Sequence, residues 1–325
     1  MYIFIDNYTV HINVENESFV LTDETKQVRK ISPYKLSGIL IYKPCTITTA
    51  ALILAAQNNI AIIMHDNYHK PVARIMSNIN GNHVNIRRQQ ALFSFDTQSI
   101  AYMHQTMLLK YKGQESNLAY CHNRLPGNKV VLKWKQKLES LVTTQLNTQP
   151  VTLQQIRVAE AHISRCYWYV LSLAMKNYLP FARRSMQPAQ DGFNALINYG
   201  YGMLYAMVET ALLAAGLDPQ IGFMHAQKYA TPSLVFDMIE PFRAWIDDVV
   251  LELCFTKTIT TAHFEEWNTG IGLTGAGKAI MIPAVIEKMN TPTLFQGKKI
   301  KRKDQIQFYA TALAKYLLNE YQYHA

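Results

Sequence analysis

In the segment 231–254 two carboxylates, Asp237 and Glu240, stand three positions apart. On a helix that spacing puts them side by side over one turn. Such a pair chelates a cation or simply faces water. The apolar residues Leu234, Val235, Met238, Ile239, Phe242, Trp245, Ile246, Val249 and Val250 mark the other helical face, so a solvated acidic face is the simpler reading of this segment alone. His225 lies upstream in IGFMHAQKY, after an apolar run. A lone histidine there is more often a satisfied core or loop residue than a ligand. Glu160, in RVAEAHISRCYWYVL, flanks the stripe Leu153, Ile156, Ala159, Ile163, Tyr167, Val170 and Leu171. It either enters a cleft or pairs on the surface with Arg157 or Arg165. His162, two residues further on, points away from Glu160 on a helix and is not expected to share its task.

These residues must be positioned by helices. From about Arg88 the hydrophobic period is helical, with candidates over 88–112, 130–146, 152–179, 191–215, 232–254, 276–289 and 303–322. Thr231–Pro232 offers a cap followed by proline, and Gly216 suits a position just past a helix end. The first 80 residues read as β-rich instead: 2–5, 9–14, 19–21, 37–42 and 60–64 are strand candidates, with a threonine-capped helix over 46–57. Gly200 and Gly202 interrupt a helical run, which fits close helix–helix approach. Tyr199, Tyr201 and Tyr205 are expected to pack.

The segment GLTGAGKA, at 272–279, satisfies the spacing GxxxxGK, but Ala279 replaces the Ser or Thr that would hold a metal. No hydrophobic strand is expected before it, since 256–267 is polar and mixed. It reads as a turn entering a helix, with no nucleotide cofactor. The basic run KKIKRK at 298–303 leads into the last helix and can serve DNA, a partner protein or water.

Composition narrows the class. The chain has 325 residues, with 49% hydrophobic and 17% charged, enough for a large core and two domains. The formal net charge of +9 favours polyanionic partners. Cys45, Cys121, Cys166 and Cys254 form no CxxC pair, which argues against structural zinc and fits a reducing cytoplasm. The N-terminus lacks a basic leader, and the apolar stretch from Met203 is interrupted by Glu209, so neither a signal peptide nor a membrane span is expected.

Four ordered blocks, EAHISRCYW, DGFNALINYGYGMLY, AGLDPQIGFMH and SLVFDMIEPFR, together with LSGILIYKPCTITTAALILAAQNNIAIIMHD near the N-terminus, resemble the CRISPR-associated integrase family over almost the whole chain. The resemblance implies an α+β fold, with a small N-terminal β-sandwich-like domain (1–85, dimerisation) followed by a larger all-α C-terminal catalytic domain (86–325). It implies one divalent metal per chain, Mg²⁺ or Mn²⁺, on Glu160, His225 and Glu240, with Asp237 auxiliary. Two carboxylates and an imidazole suit such a hard cation. Ala161 stands where many members carry glycine. Basic residues near the motifs, Arg165, Lys176, Arg183, Arg184 and Lys228, are candidate phosphate contacts. The implied activity is metal-dependent endonuclease and integrase chemistry. A 3′-hydroxyl of a short DNA duplex attacks a phosphodiester of the CRISPR repeat, in a homodimer assembled with the small second adaptation subunit. The rival reading is a non-catalytic DNA-binding scaffold of the same complex.

Overall fold

The computed structural model describes residues 2–6, 8–24, 27–66, 71–77, 83–225, 232–267 and 270–322. It is a mixed α/β chain dominated by helix. Two compact units emerge: Met1–Gln90 with Ala206–Pro219 and Gln307–Tyr321, and Ala91–Tyr205 with Gln220–Ile306 and Gln322–Ala325. The N-terminal unit thus includes two later segments that a division at residue 85 does not contain. Among the described residues no helix is long and apolar enough to cross a membrane.

The first unit carries β1 (Tyr2–Ile5), β2 (His11–Glu15), β3 (Ser18–Thr22), β4 (Val28–Ile31), β5 (Gly38–Ile41), β6 (Thr46–Ile47), α1 (Thr49–Gln57), β7 (Ala61–His65), β8 (Pro71–Ile75) and most of α2 (His83–Phe93). One sheet has the order β1-β5-β7-β8, parallel except for β8. The other has the order β4-β3-β2-β6, antiparallel except for β6. Thr48 caps α1 by accepting from the Ala51 amide at 3.3 Å. β4 and β8 escape a pattern reading: VRKI is polar and mostly exposed, and β8 opens on a proline that an edge strand tolerates.

The run GILI of β5 is buried on both faces. Ile39 and Ile41 join a cluster with Ile3, Ile5, Ile12, Phe19, Ala51 and Ala55, drawn from both sheets and α1. Leu40 and Tyr42 join Ile63 and Ala206. This two-sided burial is why the strand reads as continuous rather than alternating apolar sequence. Gly38 permits the approach, because a Cβ there would meet the Thr210 side chain at 3.1 Å.

The second unit is built from α3 (Gln98–Arg124), α4 (Lys129–Leu146), α5 (Leu153–Ala174), the first part of α6 (Gly192–Ala214), α7 (Ser233–Met238), a 3₁₀ turn (Glu240–Phe242), α8 (Arg243–Phe255), the hairpin β9 (Phe264–Trp267) and β10 (Gly270–Leu273), α9 (Gly275–Asn290), the hairpin β11 (Pro292–Phe295) and β12 (Lys298–Lys301), and the first turn of α10 (Arg302–Asn319). The two hairpins correct the expectation of an all-α C-terminal region. One contains 298–301 of the basic run, which continues into α10, and Gln296 and Gly297 take positive φ in its two-residue turn. The other places β10 directly before GAGKA, contrary to the expectation that no strand feeds it.

Two expected helices are broken. The candidate at 88–112 splits into α2 and α3, where the Asp96 carboxylate accepts from the Gln98 amide at 2.8 Å and starts the new helix. α3 then runs on to Arg124 and packs against α4, α5, α8 and the 3₁₀ turn. The candidate at 232–254 breaks at Pro241, whose missing N–H and ring disrupt the α-helical ladder. The chain tightens into the 3₁₀ turn before α8 resumes. Pro232 takes the cap position of α7, and Thr231, expected as its cap, lies outside the described residues. α5 opens on a reciprocal capping box between Thr152 and Gln155.

Candidate active site

Asp237 is fully buried on α7, at 0% exposure, and not on a solvated face. Its Oδ2 accepts the backbone N–H groups of Phe223 (2.5 Å) and Met224 (3.0 Å). Its Oδ1 accepts the N–H of His225 at 3.0 Å and also faces the His225 Nδ1 at 2.6 Å. A carboxylate offers only acceptors, so Nδ1 donates to Asp237, and Nε2 is the nitrogen whose lone pair a neutral ring would present. Gly222 makes this clamp possible: a Cβ there would fall 2.7 Å from Ser233 and 2.9 Å from Asp237 Oδ2. From the α5 side, Arg157 donates to the Met224 carbonyl, through Nε at 3.1 Å and through Nη2. Phe223 packs edge-on against Phe93 and Tyr102. The GFMH segment is therefore pinned from both ends of its peptide dipoles.

Glu240, the first residue of the 3₁₀ turn, is 4% exposed. Its Oε1 accepts from Arg243 Nε at 3.0 Å. Its Oε2 lies 2.7 Å from Lys110 Nζ as an ion pair, and among the described residues this buried oxygen has no other partner. Glu160, one helical turn beyond Arg157 on α5, points at the same lysine: its Oε1 accepts from Lys110 Nζ at 2.6 Å and from Ser164 Oγ at 2.7 Å. The surface pairing with Arg157 or Arg165 does not form. Lys110 itself, on α3, is 6% exposed.

The charges in this cluster hold one another. Burial pushes the Glu240 carboxyl up, but Arg243 and then Lys110 outweigh it and bring it down to about 2. Burial likewise opposes ionisation of Glu160, and Lys110 and Ser164 leave it below the usual carboxylate range. Lys110 is pulled down by burial and raised more strongly by Glu240 and Glu160. Both carboxylates and the ammonium are therefore ionised together at neutral pH. Lys110 had no signal in the sequence: it is a single lysine in the apolar period of α3, and only the fold shows what it faces.

Behind the cluster lies a tyrosine network. Arg243 donates through Nη2 to Tyr205 Oη at 2.8 Å and stacks over Tyr201 at 4.7 Å. The hydroxyls of Tyr201 and Tyr167 donate to the buried Asp247 at 2.7 and 2.9 Å. Burial raises Asp247 to about 6 against those two hydrogen bonds. The tyrosines pack, as expected, and also carry a polar network. Gly200 lies against α8 and α9, where a Cβ would meet Ile246 at 2.5 Å and Met281 at 2.7 Å.

The family model for CRISPR associated protein Cas1 matches residues 3–287. The chain belongs to the Cas1 family. Among curated Cas1 relatives, a CRISPR-associated endonuclease Cas1 of Archaeoglobus fulgidus is 26% identical over 341 residues, covering 99% of this chain and 98% of its own. A casposase bound to integration product has the same fold, with a TM-score of 0.79 and 21% identity over 99% of this chain and 91% of that one. So does a Cas6-RT-Cas1–Cas2 complex, with a TM-score of 0.79 and 18% identity over 98% of this chain and 35% of that one.

In this Cas1 chain Glu160 and Glu240 meet at Lys110, while His225 is held by Asp237. Among the described residues no three His, Cys, Asp or Glu side chains converge on one point. Lys110 stands between two of them, and Asp237 spends its lone pairs on amides and on His225. The donor chemistry nevertheless fits a hard divalent cation. Two ionised carboxylates already surround one positive centre, one of them through a buried oxygen with no other partner among the described residues, and the His225 Nε2 is left available. Asp237 fits the part of an orienting partner better than that of a ligand. His162 is exposed on α5, as expected.

The basic candidates separate into two kinds. Arg165, Lys176 and Arg183 are exposed. Arg184 instead bonds Asn194 Oδ1 at 3.0 Å and Asn198 Oδ1 at 2.6 Å and lies over Trp168 and Tyr201, so it ties the 183–185 loop to α6. Lys228 lies outside the described residues. In GLTGAGKA, Gly272 sits in β10 and Gly277 and Lys278 sit in the first turn of α9, whose cap Thr274 accepts from the Gly277 amide at 3.1 Å. No phosphate-cradling loop separates strand from helix. A Cβ at Gly277 would fall 2.5 Å from the His263 carbonyl, so its glycine answers a packing need.

Proposed function

We propose that this chain is a metal-dependent DNA integrase and endonuclease of CRISPR adaptation, joining a 3′-hydroxyl of a short duplex to a phosphodiester at the repeat. The observation that carries the reading is the convergence of the Glu160 and Glu240 carboxylates on one cation, beside a histidine whose Nδ1 is locked by Asp237. Family membership and the endonuclease name borne by the Archaeoglobus relative support it.

In this reading Glu160, His225 and Glu240 hold one Mg²⁺ or Mn²⁺. Such an ion stabilises charge developing on phosphate oxygens and makes an attacking hydroxyl easier to deprotonate. The chain's own groups do the rest. Asp237 fixes the tautomer and the angle of His225. Arg243 keeps Glu240 ionised and aims its carboxylate. Exposed Arg165, Lys176 and Arg183 meet the DNA backbone, whose phosphates give positive charge its main purchase. The protein acts as a homodimer through its N-terminal β region, together with the small second adaptation subunit. The names of two proteins of the same fold, a casposase bound to integration product and a Cas6-RT-Cas1–Cas2 complex, support the DNA substrate and the second subunit in this reading.

The test is strand transfer of a short duplex into supercoiled plasmid, with Mg²⁺ or Mn²⁺. Glu160→Gln, His225→Ala and Glu240→Gln are expected to lose transfer while remaining dimeric by size-exclusion chromatography with light scattering. Transfer retained by all three variants would leave a non-catalytic DNA-binding scaffold.

A further inference from the structure

We propose that Lys110 is a built-in counter-cation that keeps the place of the metal in the metal-free protein and gives it up when a divalent ion binds. This rests on the metal reading above and adds a residue that none of the motifs contains.

Lys110 is buried on α3, as are its chain neighbours Met107, Leu108 and Tyr111. An ammonium in such surroundings persists only if it is paired. Its partners among the described residues are the two carboxylates, from α5 and from the 3₁₀ turn, at 2.6 and 2.7 Å. Nothing else on α3 requires a lysine at that point, and methionine or leucine would satisfy the helix.

Glu160 and Glu240 bring two negative charges, and Lys110 and Arg243 bring two positive ones. The cluster is therefore neutral without any ion. A divalent cation added to it leaves two charges in excess in a buried place, so one of the resident cations must withdraw. Arg243 is not free to do so: its guanidinium is bonded to Tyr205 and stacked over Tyr201 and Tyr205. Among the described residues Lys110 has no such second anchor. Its ammonium is a compact charge on a flexible four-carbon stem, and it meets Glu240 Oε2 as an ion pair at 2.7 Å.

The arrangement has a use. Two carboxylates brought together without a cation repel and spread apart. Lys110 keeps them gathered, so the donors are in position before the metal arrives. The cost is affinity, because the incoming ion must displace an ion pair.

Mn²⁺ binding to the full-length dimer, followed by electron paramagnetic resonance and by thermal melting, tests this with Lys110→Met beside wild type. Metal-free Lys110→Met is expected to melt several degrees below wild type, to gain more from Mn²⁺, and to bind Mn²⁺ about tenfold more tightly, a small part of what a desolvated ion pair is worth. In wild type, acetylation of Lys110 by an amine reagent, read by mass spectrometry, is expected to be low without metal and to rise severalfold with Mg²⁺. That measurement stands even if the variant does not fold. Equal Mn²⁺ affinity in both proteins, or Lys110 labelling indifferent to Mg²⁺, overturns the displacement and leaves the metal site intact. No Mn²⁺ uptake by wild type or Lys110→Met, with Glu240→Gln indistinguishable from either, overturns the metal reading itself.

Discussion

Glu209, on the part of α6 that belongs to the first unit, is 2% exposed and has, among the described residues, one cationic neighbour, Arg74 of β8. Glu240, in the second unit, is buried to a similar degree and has two, Lys110 and Arg243. Burial raises Glu209 and the single arginine does not overcome it, so its carboxyl stays above the usual range. In Glu240 two cations overcome the same burial and the carboxyl falls to about 2. One buried glutamate is thus tolerated as a packing partner, while the other is forced to remain an anion. Forced ionisation is what a cation-binding carboxylate needs and what a purely structural one avoids.

The sharpest way to break this contrast is Glu240→Gln. Strand transfer is expected to vanish, and the metal-free protein is expected to lose about 3 kcal/mol because Lys110 and Arg243 lose their shared anion. Chemical denaturation measures the second effect, and an unchanged midpoint would remove the electrostatic argument.

Asp237→Asn comes next. It keeps the volume but weakens the grip on three amides and on His225 Nδ1. Metal affinity and transfer should fall about 10- to 100-fold, as for other carboxylates that orient a histidine. If it behaves like Glu240→Gln, Asp237 is a ligand after all.

Acid unfolding tests the signs. Glu240 has a folded-state pKa depressed from 4.5 to about 2. Its contribution, about 3 kcal/mol by linkage, is complete above 4.5 and fades as pH falls toward 2. Glu209 has the opposite sign: its favourable protonation is present below 4.5 and is lost as pH rises through its raised folded value. Stability of Glu240→Gln should therefore be flatter than wild type below pH 4.5, and that of Glu209→Gln flatter above it. The smallest effect expected is Glu209→Gln at neutral pH, within about 1 kcal/mol in either direction.

Much of this was readable beforehand, for identifiable reasons. Glu160, His225 and Glu240 lie in blocks whose order and wording are characteristic, so the family and the candidate residues came from sequence. The helices with strong caps, such as the one opening at Thr152, were placed to within a residue or two at that end. Only the resemblance separates the roles of Asp237 and Glu240, because helical spacing alone treats both as surface residues of one helix. Pro241 breaks that helix, sends both inward and gives them different partners. Lys110 was invisible because its partners lie 50 and 130 positions away in sequence. The hairpins at 264–273 and 292–301 were missed because four-residue strands rich in charge or glycine leave no alternating pattern.

The way the chain is shared between the units bears on how the gene can be dissected. The N-terminal unit recruits Ala206–Pro219 and Gln307–Tyr321, so no single truncation point yields it whole. A fragment ending near residue 90 would lack Ala206, Thr210 and Glu209. It would present Leu40, Tyr42 and Ile63 to water and leave Arg74 without its Glu209 partner. Aggregation of such a fragment would report an uncovered sheet rather than a native mode of pairing. Any test of the proposed dimer therefore calls for point substitutions in the whole chain rather than deletions.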